Sequence, residues 1–260
     1  MAGLWVGLVA GVMGGLVGIG GGVVMVPLMT EILKFRQQVA HGTSLMAVVF
    51  TALAGSFVYY LHGSVDIPAS LILAAMALCT VRFGAKYCCF LPEWKLKRYF
   101  GGFLLFISLL FLMKPLLPHV VEGASPVWIR WCILAVLGAL TGFITGMMGV
   151  GGGFIMVPMM VLLAGIGQIT AQGISLFAMF PASILGAWTH WEMGNIRKSL
   201  LPGLIAGVLA GVYAGGTFAH VMPETGLRLV FTALLVYMAA RYLRVMPKPA
   251  ETCAKKNGQT

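Results

Sequence analysis

Residues 18–29 read GIGGGVVMVPLM, and residues 149–160 read GVGGGFIMVPMM. The two stretches start 131 positions apart, at 18 and 149. The same offset pairs Gly7, Gly11 and Gly15 with Gly138, Gly142 and Gly146. It goes on to pair Gly42, Ser44 and Leu45 with Gly173, Ser175 and Leu176, and Gly55, Gly63, Gly84 and Phe100 with Gly186, Gly194, Gly215 and Phe231. The match needs no gap, so the chain is two copies of one unit. Duplication of this kind is the sequence sign of a transporter scaffold whose site lies where the repeats meet.

Composition fixes the surroundings. The 260 residues are 60% hydrophobic and only 9% charged, against about 25% charged in soluble domains. Such a chain has too few polar groups to cover a water-facing surface and reads as an all-α polytopic membrane protein with the lipid bilayer as its partner. A net charge of +10 would suggest nucleic acid in a soluble protein. Here the basic residues fall between apolar runs, where they mark the cytoplasmic side, and no nucleic-acid partner is expected.

Each copy contains three apolar spans, at 42–61, 68–88 and 98–113 and again at 173–190, 200–221 and 227–244. Two further segments, 3–33 and 128–165, are interrupted by the glycine clusters. If each interrupted segment crossed once, the lysines and arginines would divide almost evenly between the two sides. If each enters and leaves on one face, fourteen fall on one side and three (Lys114, Arg130, Arg228) on the other. The positive-inside rule selects the second arrangement, with inverted halves and a cytoplasmic C-terminus. The expected organisation is therefore a first membrane repeat at 1–113, a linker at 114–127, a second repeat at 128–245 and a cytoplasmic tail at 246–260. Residues 3–17 and 23–33 would extend about 22 and 16 Å as helices, short of the ~30 Å core. Broken helices survive at that depth only where protein or a wet cavity satisfies the freed backbone. The clusters should therefore lie inside, near the midplane.

At Gly20, Gly21 and Gly22 the chain loses helical preference and gains access to positive φ. A half-helix starting near Val23, and its equivalent at Phe154, would present the first N–H groups and the positive end of its dipole. Gly18, Gly20, Gly21, Gly22 and Val23 face their counterparts Gly149, Gly151, Gly152, Gly153 and Phe154 as an anion site with no buried basic residue. Pro27 and Pro158 lack an N–H, so the carbonyls of Val23 and Phe154 lose their helical donors. The stripes Gly3, Gly7, Gly11, Gly15 and Gly203, Gly207, Gly211, Gly215 read as packing seams. Neither cluster is a nucleotide-binding loop, and no cofactor is expected.

All seven acidic residues fall at or beyond span ends, which argues against a hard-cation carrier, because such carriers place carboxylates inside the membrane. An anion leaving the cytoplasm gains ~2.3 kcal/mol per charge per 100 mV. Donors that could complete the site open the span after each break: Thr43 and Ser44 in AHGTSL, Gln172 and Ser175 in AQGISL, with His41 a weaker candidate. The same hydroxyls could equally bond their own helix. His190 and Glu192, among Trp188 and Trp191, read as an interfacial belt. Seventeen methionines admit a soft-metal permease as an alternative, although most sit singly where methionine is ordinary filler. The five cysteines form no disulfide framework and no metal-ligand spacing, so no metal is assigned.

The duplicated GxGGGxxxVPxM motif, the GTSL and GISL segments and LPEWKLKRYFGGFLL at 91–105 closely resemble the TauE/SafE family of sulfite-exporter-like permeases. The resemblance covers nearly the whole chain. It implies transport of a small sulfur-containing anion such as sulfite, thiosulfate or an organosulfonate, outward across a bacterial inner membrane. Ile174 stands where the first copy has Thr43, so a hydroxyl role does not carry over to position 174. The expectation is an anion-exporting secondary transporter rather than an enzyme, with a homo-oligomer left open and a non-transporting membrane subunit as a further alternative.

Overall fold

The computed structural model describes residues 2–87, 101–102, 105–106, 108–109, 111–112, 127–148 and 151–243. Outside these residues lie Gly149, the linker up to residue 126, most of the span at 98–113, the tail at 246–260, Cys88, Cys89, Cys253, Glu93, Glu122 and Glu251. Among the described residues the regular structure is helical, with no strand. The helices are α1 (Ala2–Val17), α2 (Gly22–Glu31), α3 (Gln37–Leu61), α4 (Ile67–Tyr87), α5 (Val127–Met148), α6 (Gly153–Leu163), α7 (Gln168–Glu192), α8 (Leu201–Val221) and α9 (Glu224–Leu243). A short 3-10 turn at Lys198–Leu200 leads into α8. The described residues of 101–112 are also helical.

The duplication is visible in the helix ends. The starts of α2 and α6 (22 and 153), the starts of α3 and α7 (37 and 168) and their last residues (61 and 192) all differ by 131. Among the described residues, five helical stretches are long and apolar enough to cross a membrane: Val39–Leu61, Ile67–Gly84, Trp128–Gly146, Gln168–Glu192 and Lys198–Val221. α3 and α7 begin earlier than the apolar pattern suggests, because their first turns carry Gln37, Gln38 and Gln168, which hydropathy excludes from a span. The interrupted segments are indeed broken, but unequally. α1 and α2 have 16 and 10 residues, about 24 and 15 Å, both short of the apolar core. α5 has 22 residues, about 33 Å, enough to cross on its own.

Packing exchanges elements between the halves. α1 lies along α8, α5 lies along α4, and α3 and α7 cross at the centre, each also touching the other half's α8 or α4. The glycine stripes make the first two contacts. A Cβ at Gly7 would stand 2.3 Å from the Leu204 carbonyl oxygen, and one at Gly207 would stand 2.3 Å from that of Leu4. The equivalent seam has Gly142 at 2.4 Å from the Ala77 carbonyl oxygen, and Gly84 against Phe143. Thr80 Oγ1 adds a 2.8 Å bond to the Ala139 carbonyl. In an apolar medium, helix association depends on such close backbone approach, which only glycine allows here.

The outer ends of the helices group into two sets. In the first, Glu31 at the end of α2 pairs with Arg241 at 2.5 Å, Gly3 rests on the Leu200 carbonyl, and Gly42 rests on that of Asn195. In the second, Arg130 at the start of α5 pairs with Asp66 at 3.3 Å, and Gly173 near the start of α7 rests on the Ser64 carbonyl. The outer surface between these ends is apolar, with Trp5, Phe83, Trp128, Tyr213 and Val221 all well exposed.

Gly7→Val is expected to lower stability in detergent by about 2–3 kcal/mol, since the added atoms meet backbone rather than a movable side chain. Gly167→Ala, which has open space and an ordinary φ of −56°, should change stability by less than about 1 kcal/mol. Thermal melts of the two variants check the contrast.

Candidate transport site

The first break turns on Gly18, Gly20 and Gly21, with φ of 70°, 81° and 71°. Gly21, in the left-handed region, caps α2. A side chain there would be strained and would also meet the Ala10 carbonyl oxygen at 2.6 Å. In the second break Gly151 has φ 82°, while Gly152, the cap of α6, has an ordinary φ of −86°. The half-helices start in one register. Val24 and Met25 both donate to the Gly21 carbonyl, and Ile155 and Met156 both donate to that of Gly152. The N–H groups of Gly22, Val23 and Gly153 thus precede the first intrahelical bonds, at the positive ends of short dipoles. Val23 and Phe154 are buried, 4% and 2% exposed, and Pro27 and Pro158 sit inside the two short helices.

The two breaks meet. A Cβ on Gly153 would stand 2.8 Å from both the Gly18 carbonyl oxygen and Ile19 Cα. Val48 of α3 and Met179 of α7, equivalent by the 131-residue offset, close over the junction. Met179 Cε lies 2.6 Å from a Cβ at Gly20 and 2.4 Å from one at Gly151, with Val48 Cγ1 at 3.2 and 3.7 Å. Val48 and Met179 are buried, as are residues 18–23 and 151–154. The junction is therefore buried in this conformation.

Gln172 is the polar side chain set against the first break. Its Cβ and Cγ pack on Gly18. Its Oε1 and the Gly15 carbonyl share the single Tyr59 hydroxyl proton, at 3.0 and 2.9 Å. With the amide oriented in this way, Nε2 is fully buried and has no partner among the described residues. An orphan donor of this kind costs roughly 1–3 kcal/mol unless something polar comes to it. Ser175 donates to the carbonyls of Gly18 at 2.5 Å and Gln172 at 3.1 Å, so its proton holds the turn in place.

The other expected donors are committed elsewhere. Thr43 Oγ1 accepts the Arg197 N–H at 3.0 Å, tying the start of α3 to the loop before α8. Ser44 donates to the His41 carbonyl at 2.9 Å. Trp188 and Trp191 are exposed, and Trp188 donates to Glu192 at 2.7 Å. Three residues escaped the sequence reading. Tyr59 and Met179 looked like span filler. Thr145 of α5, whose Oγ1 would be 2.8 Å from a Cβ at Gly152, lay inside an apolar run. Its first-copy equivalent is Gly14, so the second break has a hydroxyl that the first lacks. Comparing the repeats position by position could have flagged it.

Geometry and comparison with known proteins agree. The family model described as sulfite exporter TauE/SafE matches residues 3–242. A probable membrane transporter protein of Bacillus subtilis, YunE, is 26% identical over 258 residues, covering 91% of this chain and 94% of the relative. A second from the same organism, YdhB, is 26% identical over 221 residues, 84% of this chain and 89% of the relative. Sulfite exporter TauE/SafE family protein 3 of Arabidopsis thaliana is 38% identical over 71 residues, 27% of this chain and 15% of that one. No solved structure matches the chain. A duplicated glycine break in a helical membrane bundle, joined to a family match over nearly its whole length, assigns this chain to the sulfite exporter TauE/SafE family of membrane transporters.

Proposed function

We propose that the protein exports a small sulfur-containing anion, such as sulfite, thiosulfate or an organosulfonate, across a bacterial inner membrane. The observation that carries this reading is the Gln172 amide. Its Nε2 is buried without a partner among the described residues, beside a turn that leads into a helix N-terminus. The backbone N–H groups of Gly22 and Val23, their counterpart at Gly153 and the Gln172 amide form a donor set suited to an oxyanion. Ser175 and Tyr59 position that set. Thr43 and Ser44 hold the start of α3.

The grouping of helix ends supports inverted halves. The outer ends of α1 and α2 fall with Lys34, Arg36, Arg197, Lys198 and Arg241, whereas α5 starts beside Arg130 in the opposite set. The richly basic face is then cytoplasmic. The two half-helices approach the junction from opposite sides, and rocking of one half against the other would open it alternately. The favourable direction for an anion is outward, by ~2.3 kcal/mol per charge per 100 mV.

Purified protein in liposomes should carry sulfite or a sulfonate in preference to chloride. Carriage of copper with no anion flux would replace this reading by the soft-metal one, and no flux of any kind would favour a non-transporting subunit. Gln172→Glu, nearly isosteric but anionic, should cut flux by about 10- to 100-fold while preserving the folded state, the expected cost of losing one oriented donor to a charge. Tyr59→Phe frees the amide to turn over. It should weaken substrate affinity several-fold with a smaller change in maximal rate, measured as the concentration dependence of flux.

A further inference from the structure

The face of α7 that meets the two breaks is longer than the site itself. Gln168, Gln172, Ser175, Met179 and Ser183 recur at intervals of four, three, four and four, which places them within one stripe of an α-helix. All five are at most 1% exposed. Both amide atoms of Gln168, Nε2 of Gln172 and Oγ of Ser183 lack a partner among the described residues. Each such atom costs roughly 1–3 kcal/mol when buried, so four on one face are a poor way to build a structural contact. In membrane proteins polar groups at this depth face the interior and mark solute paths.

Met179 divides the stripe, with Gln168 and Gln172 toward one end of α7 and Ser183 toward the other. It is also the side chain that closes the junction between Gly20 and Gly151. The stripe's barrier and its far hydroxyl belong to α7 alone: the equivalent positions on α3 are Val48 for Met179 and Ala52 for Ser183, whereas Gln37, His41 and Ser44 stand for Gln168, Gln172 and Ser175. Methionine has three rotatable bonds and can swing aside without a backbone shift, and apolar constrictions in polar paths close them by excluding water.

We infer that this face of α7 is the wall of the substrate path and that Met179 is the movable barrier holding the present conformation closed. The inference rests on the anion-transporter reading and adds Gln168, Met179 and Ser183 to its machinery. An anion leaving the cytoplasm passes from the Ser183 hydroxyl on one side of Met179 to the amide donors on the other.

Thiol labelling tests it. In full-length protein with its five cysteines replaced by serine, Gln168→Cys, Ser183→Cys and Ile184→Cys are reconstituted in liposomes. A membrane-impermeant anionic methanethiosulfonate is then added from either side. Gln168→Cys and Ser183→Cys should react from opposite sides, and Ile184→Cys, on the outer surface at 44% exposure, should stay inert in lipid. Adding Met179→Ala should let the reagent reach both positions from one side about tenfold faster, the effect of removing one modest barrier. Met179→Leu conserves volume and should keep the original rates, separating barrier loss from misfolding. Stripe positions no more reactive than Ile184→Cys, or rates indifferent to Met179→Ala, overturn the inference. Stripe labelling without sulfite flux supports the path and overturns the anion reading. Sulfite flux without stripe labelling overturns the path and leaves the anion reading standing.

Discussion

Backbone polarity inside an apolar medium governs this molecule. A helix interrupted at membrane depth leaves N–H and C=O groups that lipid cannot satisfy, so both breaks must lie where protein surrounds them. The glycine seams provide that enclosure. With α1 drawn against α8 and α5 against α4 at backbone contact, the short α2 and α6 lie inside the bundle, and their N-termini meet across Gly18, Ile19 and Gly153. The same lack of side chains that lets the seams close lets the turns adopt positive φ.

The exchange of packing partners makes the two halves one body, yet the junction is not symmetric. Met179 faces Val48, Gln172 corresponds to His41, Thr145 to Gly14, and Ile174 to Thr43. A site between identical halves would present the same donors to both sides. Here Gln172, held by Tyr59, gives one side a carboxamide, and Thr145 gives the other a hydroxyl near Gly152.

Much of the architecture was legible because duplication and hydropathy are strong signals. The offset of 131 survives in the starts of α2, α3, α6 and α7, the glycine stripes became seams, and both interrupted segments are broken. The site was only half legible. Gly18, Gly20, Gly21 and Gly151 declared the turns, since their spacing is conspicuous and their φ values demand glycine. Hydroxyl roles were not readable, because Thr43 and Ser175 look alike in sequence while their bonds run to different partners, Arg197 for one and Gly18 for the other. Tyr59 acts on Gln172, 113 residues away along the chain, and Met179 on Gly20 in the other half. A single sequence holds no local mark of such contacts.

The central claim is that the paired helix N-termini and the Gln172 amide hold an oxyanion. Crystals grown with selenite, an analogue of sulfite carrying an anomalous scatterer, test this most directly at the selenium edge. The account predicts a peak within hydrogen-bonding reach of Gln172 Nε2 and the Gly22 and Val23 amides, lost in Gln172→Glu. A peak elsewhere in the bundle, or one indifferent to that substitution, would contradict it.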